Sequence, residues 1–587
     1  MIPFNPKFSQ TAVGYCLIIS LLGVLIFANH LNNPFQFDSV PYISNNAKLQ
    51  KPETLLTPEF LQKEFIHRGL LRISIALNVY LDGFKPFGFH LLSLAFHILN
   101  ALLLFFIFEK SFQRFHLSAL GWGNNRIRSI SFFAAVLFLC HPIQTESVIY
   151  IMSRSEVMAS TFYLIGFLLF QQLLERTSTS GLQYFFYFLI IILIILLGFS
   201  VKQIVATLPA SMIFYYFFSC PDNSPAWQFL KKWKWPLLVI CSALASLFFY
   251  KLFTDEAFLV GPSRTDQMVG RVKYMLSQPY VIIFYYLNKI FFPINLNIDP
   301  DIEVVTNFLS PSFLIPALCI FFLLVGSFRV FKNRIILFFL CWFFIILSPS
   351  SSIVTLHDLA AEHRVYLASA GVFILLAYWV SEVSCKWGKS QPLQIILICC
   401  LFLGMLGVLT IKRNTVWQSE LSLWQDTYQK SPYKLRPLIN LARAHSLLGE
   451  TDKAIQYYQE ALNQGPLIFA VNYNLGDLYM EKGLVPDAVQ RFLVATQISP
   501  ETFETFARLG DIYLSQNNFK LAESYFKQAV ELNPRFSIGF KNLGVLNFYH
   551  LNNPKQGIIY FTRSLTLDPD QPEADNIRLL LSEYSSH

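Results

Sequence analysis

The stretch "TAVGYCLIISLLGVLIFAN", residues 11–29, decides the structural class of this chain. It contains no charged residue, and as an α-helix of about 20 residues it is long enough to cross a membrane. It lacks an A-x-A cleavage site, which indicates a retained span rather than a removed signal peptide. Of the 587 residues, 54% are hydrophobic and only 14% are charged, against about 25% charged in soluble proteins. A polytopic membrane protein is predicted.

Ten more apolar runs follow the first predicted span, 12–29. They centre on 89–108, 130–149, 156–173, 184–201, 203–219, 235–252, 310–328, 335–350, 365–381 and 392–411. Another apolar segment, 280–296, carries Asn288 and Lys289 in its middle. If it does not cross and the N-terminus is cytoplasmic, the basic loops all lie on one side, as the positive-inside rule requires. About eleven spans are therefore predicted, with loop 30–88 and the C-terminus exoplasmic and 280–296 re-entrant or interfacial.

The composition changes after Ile411. Residues 412–587 carry 17 basic and 18 acidic residues, whereas residues 1–411 have a net charge of +9. The basic excess thus belongs to the membrane part, where it indicates topology and not a nucleic-acid surface. The expected domains are a membrane domain, 1–411, and a C-terminal domain, 412–587.

The C-terminal domain shows an internal period of 34 residues. Proline, small and aromatic residues recur at this interval: Pro432, Pro466, Pro500 and Pro534; Gly476, Gly510 and Gly544; Ala454, Ala488 and Ala522; Tyr458, Phe492 and Phe526. This is the tetratricopeptide pattern, in which paired helices stack into a superhelix. Repeats are predicted near 435–468, 469–502, 503–536 and 537–571, after a leading half-repeat at 415–434. The predicted fold is all-α: a helix bundle followed by these repeats.

Polar residues collect at the predicted exoplasmic ends of the spans, where ionisable groups are usually functional. They are Asp38 in "NPFQFDSVPYISNN"; His67, Arg68 and Arg72; His141, Glu146, Arg154 and Glu156 in "HPIQTESVIYIMSRSE"; Lys202 and Gln203; and Glu362, His363 and Arg364 in "HDLAAEHRVYLAS". Carboxylates and cations on one face of an apolar bundle suit transfer from a lipid-linked phosphate to a polar acceptor. The cations would hold the leaving phosphate and a carboxylate would take the acceptor's proton.

Each of these residues also has a structural explanation. Asp38 could cap a short helix, Glu146 and Arg154 could form a structural pair, and Lys202 could snorkel to the interface. His90, His97 and Asn100 share one helix face and are expected to hydrogen-bond between spans. Neither H-E-x-x-H nor the reversed H-x-x-E-H is present, so a metalloprotease has no ligand pattern; no metal site is predicted. The absence of G-x-x-x-x-G-K-[ST] argues against an ATP-driven transporter.

The order of the segments resembles the transmembrane and tetratricopeptide-repeat O-mannosyltransferases, and more broadly the multispan glycosyltransferases of the C-type fold. The resemblance covers nearly the whole chain. It rests on "FQFDSVPYISNN", "GFHLLSLAFHILNALLLF", "HPIQTESVIYIMSRSEVMAS", the "KQ" at 202–203, "EHRVYLASAG" and the C-terminal repeats. In the family, the first loop often has Asp-Asp where this chain has Asp38–Ser39, and Lys-Glu often stands at 202–203.

The resemblance implies transfer of a sugar from a polyprenyl- or dolichyl-phosphate carrier to a hydroxyl on the exoplasmic face, with inversion. The implied roles are the general base for Asp38, donor-phosphate binding for Arg154, Lys202 and Arg364, and support from Glu146, Glu362, His363, His141 and Arg68. Because Ser39 and Gln203 depart from the family pattern, the identity of the donor sugar and the dependence on a divalent cation stay open. The partners would be the lipid-linked donor, the membrane, and an acceptor polypeptide or glycan presented by the repeats, with no nucleic acid.

The compact loops and the lack of retention or glycosylation cues favour a bacterial inner membrane with periplasmic repeats over the endoplasmic reticulum of eukaryotic family members. The alternative function is a non-enzymatic, membrane-anchored tetratricopeptide scaffold for envelope assembly, which loss of Asp38 or Arg364 would favour. A lipid-carrier transporter ranks last, because the cytoplasmic ends offer mostly topology-setting lysines and arginines.

Overall fold

The computed structural model describes residues 10–46, 49, 57–58, 68–115, 123–175, 181–219, 269–327, 333–352, 354–386 and 392–585. Throughout these ranges the ordered elements are helices, which confirms the all-α prediction. The chain divides into two compact units, Met1–Lys430 and Ser431–His587. The predicted span 235–252 and His67 lie outside the described residues.

The first unit is built mainly from apolar helices. Its α-helices are α1 Gln10–Phe27, α2 Leu70–Asp82, α3 Pro86–Arg114, α4 Asn124–Cys140, α5 Thr145–Ile149, α6 Arg154–Glu175, α7 Gly181–Phe199, α8 Leu208–Ser219, α9 Arg271–Tyr280, α10 Asn288–Phe291, α11 Pro311–Phe321, α12 Arg334–Leu347, α13 Ser369–Lys386, α14 Pro392–Thr415 and α15 Glu420–Lys430. A π-helical turn, Val281–Leu287, joins α9 to α10.

Four helices in the described ranges are long and apolar enough to cross a membrane: Thr11–His30, Pro86–Arg114, Ile151–Glu175 and Ile396–Gln418. A fifth span results if Asn124–Cys140 and Pro142–Ile149, bent by 53°, are counted together. Shorter apolar helices are Phe185–Phe199, Gln203–Ser219, Pro311–Gly326, Arg334–Leu347 and Ser369–Cys385. The chain is therefore a membrane protein, while the expected number of about eleven spans stays a prediction.

The centre of the first unit is held by hydrogen bonds between helices. His97 of α3 bonds the Tyr366 hydroxyl through Nδ1 at 2.8 Å and the carbonyl of Leu139 through Nε2 at 3.2 Å. Asn100, one turn further along α3, donates to the carbonyl of Val157 at 2.8 Å and to the same Tyr366 hydroxyl at 3.1 Å. Helices α3, α4 and α6 are thereby fixed against one another, as expected from the shared face of His97 and Asn100.

The second unit consists of helix pairs. Its α-helices are α16 Leu435–Leu447, α17 Thr451–Gln464, α18 Phe469–Glu481, α19 Val485–Ile498, α20 Phe503–Ser515, α21 Phe519–Leu532, α22 Ser537–Val545, α23 Pro554–Leu567 and α24 Ala574–Ser585. Within each pair the first helix has a small residue where the second presents an aromatic ring. A Cβ on Gly476 would lie 2.8 Å from the ring of Phe492. This close approach explains the glycine–aromatic periodicity of the repeats.

The substitution Gly510→Val is expected to destabilise the second unit. The added Cβ would lie 2.8 Å from the ring of Phe526, which is fully buried, and overpacking of this kind costs about 1–3 kcal/mol. Thermal unfolding of the full chain should show a lower midpoint for Gly510→Val than for Ser515→Ala, near the end of the same helix. If adding Phe526→Leu did not restore part of the loss, contact with the ring would not be its cause.

Candidate functional site

The first unit contains a partly open cavity of about 640 Å³ with a mixed polar and apolar lining. It is lined by Asp38, Tyr42, Asn46, Leu49, Arg68, Leu71, Arg72, Ile75, Tyr150, Met152, Ser153, Ser155, Lys202 and His363. Four of the expected site residues therefore meet here: Asp38, Arg68, Lys202 and His363. They come from four distant parts of the sequence, and the cavity places one acid among three cationic side chains, counting Arg72.

Asp38 is held in place by its neighbours in the loop after α1. Phe37 adopts a left-handed backbone conformation, with φ of 52°. Its ring contacts the rings of Tyr150 and Trp424, with centroids 5.9 and 5.3 Å away. The backbone amide of Tyr42 donates to the carbonyl of Asp38 at 3.1 Å. Because the preceding side chain is fixed by aromatic packing and the following turn closes on its carbonyl, Asp38 presents its half-buried carboxylate to the cavity.

Tyr150 lines the same cavity, close to Asp38. The Tyr150 side chain is 8% exposed, and burial together with the nearby Asp38 carboxylate raises the pKa of its phenol. The phenol therefore stays protonated and can donate a hydrogen bond at the carboxylate. This role could not be predicted from the sequence, because an uncharged aromatic residue near the end of a span is usually an interfacial anchor.

Lys202 reaches the cavity from the turn between α7 and α8. Its ammonium forms an ion pair with the Oε1 atom of Glu156, near the start of α6. The side chain of Glu156 is 3% exposed and that of Lys202 is 21% exposed. The carboxylate is thus buried behind the ammonium, which faces the open volume. An ion pair, and not simple snorkelling, sets the position of Lys202.

His363 and Glu146 form a second polar pair at the site. The Nδ1 atom of His363 lies 2.5 Å from Oε1 of Glu146, and the backbone amide of His363 donates to Oε2 of the same carboxylate at 3.3 Å. The Glu146 side chain is 3% exposed, whereas that of His363 is 23% exposed and lines the cavity. Glu146 thereby fixes the ring orientation of His363. The carboxylate of Glu146 thus pairs with His363 and not with Arg154, the structural partner that the sequence suggested.

Arg154 lies beside the cavity wall and not in it, among the residues that the structure describes. It is fully buried. Its guanidinium donates to Oδ1 of Asn78 at 2.7 Å and to the carbonyl of Phe89 at 2.9 Å, with longer contacts to Ser74 and Ser93. Arg154 therefore ties α2, which carries Arg72 into the cavity, to α3 and α6.

Arg364, Glu362 and His141 are likewise occupied by protein partners. Arg364 donates to the carbonyls of Asp358 and Leu359 at 2.9 and 3.3 Å and to the Tyr274 hydroxyl at 3.2 Å. None of the three appears among the described residues that line the Asp38 cavity. Their expected roles in binding or support stay predictions, and the geometry favours an indirect role for Arg364.

The partners of Glu362 and His141 lie in the segment after α9. The Oε1 atom of Glu362 accepts from the amide of Asn297 at 2.5 Å, and burial raises the pKa of this carboxyl. The Nε2 atom of His141 donates to the carbonyl of Ile290 at 2.9 Å, and its Nδ1 atom accepts from the amide of Ile143. Both side chains thus attach residues 290–297 to the bundle.

The substitution Arg154→Gln is expected to lower the stability of the fold, because Arg154 lies outside the cavity and holds α2 against α3 and α6. It leaves Asn78 and the carbonyl of Phe89 without a donor in a buried setting, and each unsatisfied group costs about 1–3 kcal/mol. The thermal unfolding midpoint should fall for Arg154→Gln, while Arg578→Gln, exposed in the second unit, should leave it unchanged. An unchanged midpoint for Arg154→Gln would show that these bonds do not hold α2 in place.

The histidine, cysteine, aspartate and glutamate side chains of the described residues do not form a metal site. In those residues, no group of three or more histidine, cysteine, aspartate or glutamate side chains is arranged to hold a metal ion. The polar groups of the cavity are instead one carboxylate, three cations, two phenols, an imidazole, an amide and two hydroxyls. This set can accept a proton and stabilise an anion within the same volume.

Two tetratricopeptide-repeat family models match the second unit, at residues 439–501 and 503–536. This confirms that the C-terminal part carries tetratricopeptide repeats, while the bounds of the repeats, the fourth repeat at 537–571 and the half-repeat at 415–434 stay predictions. The chain is similar to protein O-mannosyl-transferase TMTC1 of Homo sapiens, with 22% identity over 79% of this chain and 57% of the human protein. Protein O-mannosyl-transferase F38B6.6 of Caenorhabditis elegans is 24% identical over 77% of this chain and 62% of the worm protein.

A shorter match reaches higher identity: protein O-mannosyl-transferase TMTC2 of Mus musculus is 31% identical over 28% of this chain and 19% of the mouse protein. Among solved structures, MamA from Desulfovibrio magneticus RS-1 covers 26% of this chain and 85% of its own, with 19% identity and a TM-score of 0.24. The chain spans less than two thirds of the length of the curated relatives it matches. Its homologues are protein O-mannosyl-transferases, which confirms the resemblance seen in the sequence.

Proposed function

We propose that this protein is a membrane glycosyltransferase that moves a sugar from a polyprenyl-phosphate carrier to a hydroxyl group of a polypeptide. The observation that carries the proposal is the cavity of about 640 Å³ in which Asp38 meets Arg68, Arg72 and Lys202. A carboxylate beside a cluster of cations suits a reaction in which a proton is removed from one substrate while an anion leaves the other.

The proposed reaction is a single displacement at the anomeric carbon. Asp38 accepts the proton of the acceptor hydroxyl, whose oxygen forms the new bond to the anomeric carbon. The bond from that carbon to the carrier phosphate breaks, and the phosphate leaves with the electron pair. Attack and departure on opposite faces of the sugar give inversion. Lys202, Arg68 and Arg72 stabilise the charge that develops on the phosphate, and Tyr150 donates a hydrogen bond to Asp38.

The supporting residues act behind these groups. Glu146 fixes His363 at the cavity, Glu156 fixes Lys202, and Arg154 fixes the helix that carries Arg72. Direct binding of phosphate by Arg154 and Arg364, as expected from the family resemblance, is the less favoured version of the proposal, because protein oxygens occupy both guanidinium groups.

We assign the carrier tail to an apolar cavity of about 360 Å³ between α4, α13 and α14. Its walls include Phe133, Phe373 and Phe402, together with Ile290 and Phe291 of the segment 280–296. Apolar side chains at membrane depth suit an isoprenoid chain, as they suit lipid tails in general. The donor would then be a lipid-borne sugar phosphate and not a soluble nucleotide sugar.

The proposed setting is a C-type bundle of about eleven spans in a bacterial inner membrane. The active face and the repeats lie on the periplasmic side, where the repeats present the acceptor. Support comes from the positive-inside distribution of the basic loops and from the repeats, which commonly bind other proteins.

Purified protein in lipid nanodiscs tests the function directly. It would be incubated with a panel of polyprenyl-phosphate sugars and a periplasmic extract as acceptor, and the sugar gained by protein would be measured by mass spectrometry. Transfer from one donor supports the proposal and identifies that donor. Carrier lipid bound by folded protein with no transfer from any donor would favour the membrane-anchored scaffold.

A further inference from the structure

A second cavity, much smaller than the first, lies beside the loop that carries Asp38. Its volume is about 10 Å³, which is room for one water molecule. The lining includes Asn33, Gln36 and Ser39 of this loop, His90 of α3, Tyr150, and Trp417, which follows α14. Because Tyr150 also lines the Asp38 cavity, the two volumes are neighbours.

Four of the lining side chains each have a buried polar atom without a hydrogen-bond partner among the residues that the structure describes. These atoms are Nδ2 of Asn33, Oε1 of Gln36, Nδ1 of His90 and Nε1 of Trp417. All four residues are at most 6% exposed. Buried polar groups are almost always hydrogen-bonded, either to protein or to ordered water. Four such atoms around one small volume therefore indicate a ligand inside it.

The other hydrogen bonds of two of these side chains decide which atoms accept. Nε2 of Gln36 donates to the carbonyl of Trp417 at 2.6 Å, so the remaining atom of this amide is the acceptor oxygen. Nε2 of His90 lies 2.9 Å from the carbonyl of Asn33 and carries the proton, because a carbonyl oxygen only accepts. Nδ1 of the neutral imidazole then accepts, whereas the amide nitrogen of Asn33 and the indole nitrogen of Trp417 donate. The cavity thus presents two donors and two acceptors.

This combination of atoms selects the ligand. A water molecule has two hydrogen atoms to donate and two lone pairs to accept, so it can pair with all four atoms. A metal cation would leave the two N–H groups unpaired, and an anion would leave the two acceptors unpaired, so neither ion suits the site. A volume of about 10 Å³ holds one water and nothing larger.

The four atoms belong to three separate parts of the chain. Asn33 and Gln36 lie in the loop after α1, His90 lies near the start of α3, and Trp417 lies in the short turn after α14. Two direct hydrogen bonds, from Gln36 to Trp417 and from His90 to Asn33, already join these parts. One water bound to all four side chains would complete the connection between the loop and both helices.

We propose that these four side chains bind one ordered water, and that this water is a fixed part of the site that positions Asp38. Gln36 lies two residues before Asp38 in the same loop. The ring of Trp417 stacks on that of Tyr150, with centroids 5.8 Å apart and planes at 25°. The water therefore holds both the backbone that leads to Asp38 and the indole that supports Tyr150. The effect on sugar transfer rests on the proposed function, whereas the water site itself does not.

The water site is tested first in the wild type. The full-length protein in nanodiscs would be imaged by cryo-electron microscopy at a resolution that shows ordered waters elsewhere in the bundle. We expect a density peak within hydrogen-bonding distance of the four atoms. A map that shows other internal waters but no peak here would overturn the proposal. So would a peak surrounded by donors only, with the Gln36 amide reversed, because the ligand would then be an anion.

Amide hydrogen exchange tests whether the water holds the loop. Trp417→Phe keeps an aromatic ring beside Tyr150 and removes the indole N–H. The matched control, Trp342→Phe, makes the same change at an equally buried tryptophan, whose Nε1 atom donates to the carbonyl of Leu367 at 3.2 Å. Exchange is followed in residues 33–46, where backbone amides donate to carbonyls within the loop. It should become about tenfold faster in Trp417→Phe, the effect of one net hydrogen bond, and change less than about twofold in Trp342→Phe.

The transfer assay separates positioning from general destabilisation. Trp417→Phe should lower kcat about tenfold, while KM for the donor stays within about twofold, because the residues that line the Asp38 cavity are all retained. Trp342→Phe should leave both constants unchanged. If Trp417→Phe does not fold, His90→Gln takes its place: its amide can still donate to the carbonyl of Asn33 but lacks an acceptor at the position of Nδ1.

The outcomes distinguish this proposal from the proposed function. Unchanged exchange in both Trp417→Phe and His90→Gln would overturn the positioning role, and so would faster exchange with an unchanged kcat. Wild-type protein that transfers no sugar from any donor would reject the proposed function. The density map and the exchange rates would then still decide whether the water is bound and holds the loop.

Discussion

The substitution Asp38→Asn is expected to lower sugar transfer by about 10²–10⁴-fold, the usual contribution of a positioned general base. Asparagine has nearly the same size and can still accept a hydrogen bond from Tyr150, but it cannot take the proton of the acceptor hydroxyl. Packing of Phe37 against Tyr150 and Trp424 is unaffected. The fold and the affinity for the carrier lipid should therefore be retained.

The measurement is initial transfer rate in nanodiscs, with thermal unfolding and donor binding measured in parallel. The matched control is Asp82→Asn, at the end of α2, where the carboxylate is 38% exposed and lies near Lys85. It should transfer sugar at the wild-type rate. Full activity of folded Asp38→Asn would reject Asp38 as the base; His363, held by Glu146 in the same cavity, would then be the next side chain to test.

The sequence predicts much of this site because membrane topology restricts where polar residues can lie. Once the basic loops fix one side, Asp38, Arg68, Lys202 and His363 are expected on the other, and the structure places all four around one cavity. The repeats were equally predictable, since the glycine–aromatic spacing reports a local contact between adjacent helices, such as Gly510 with Phe526.

The direction of a long side chain is not encoded locally. Arg154 follows a motif full of polar residues, yet its guanidinium points to Asn78, 76 residues earlier, and to the carbonyl of Phe89. Backbone carbonyls leave no trace in the sequence that could identify them as partners. Arg364 is a second example. The family resemblance predicts that it faces the donor, whereas in the structure its guanidinium donates to the backbone carbonyl of Asp358, a partner that the sequence cannot identify. Charge and topology predict which side a residue lies on, but tertiary packing decides what it binds.

The ion pair between Lys202 and Glu156 allows structural and chemical roles to be separated. The substitution Lys202→Met alone leaves the Glu156 carboxylate, 3% exposed, without its partner. Breaking a buried pair in this way destabilises a protein by about 3–5 kcal/mol, so loss of activity in the single variant could follow from loss of structure. The double variant Lys202→Met/Glu156→Gln removes the unpaired charge and should recover most of the stability.

In the double variant, the rate of sugar transfer should stay low even though the stability of the fold recovers. If the Lys202 ammonium stabilises the departing phosphate, its loss lowers turnover by about 10²–10³-fold, as for other preorganised donors at a developing anion. The double variant should therefore unfold near the wild-type temperature and still transfer slowly. Glu156→Gln alone keeps the ammonium at the cavity and should retain transfer. Wild-type turnover in the double variant would make Lys202 a purely structural residue and leave phosphate binding to Arg68 and Arg72.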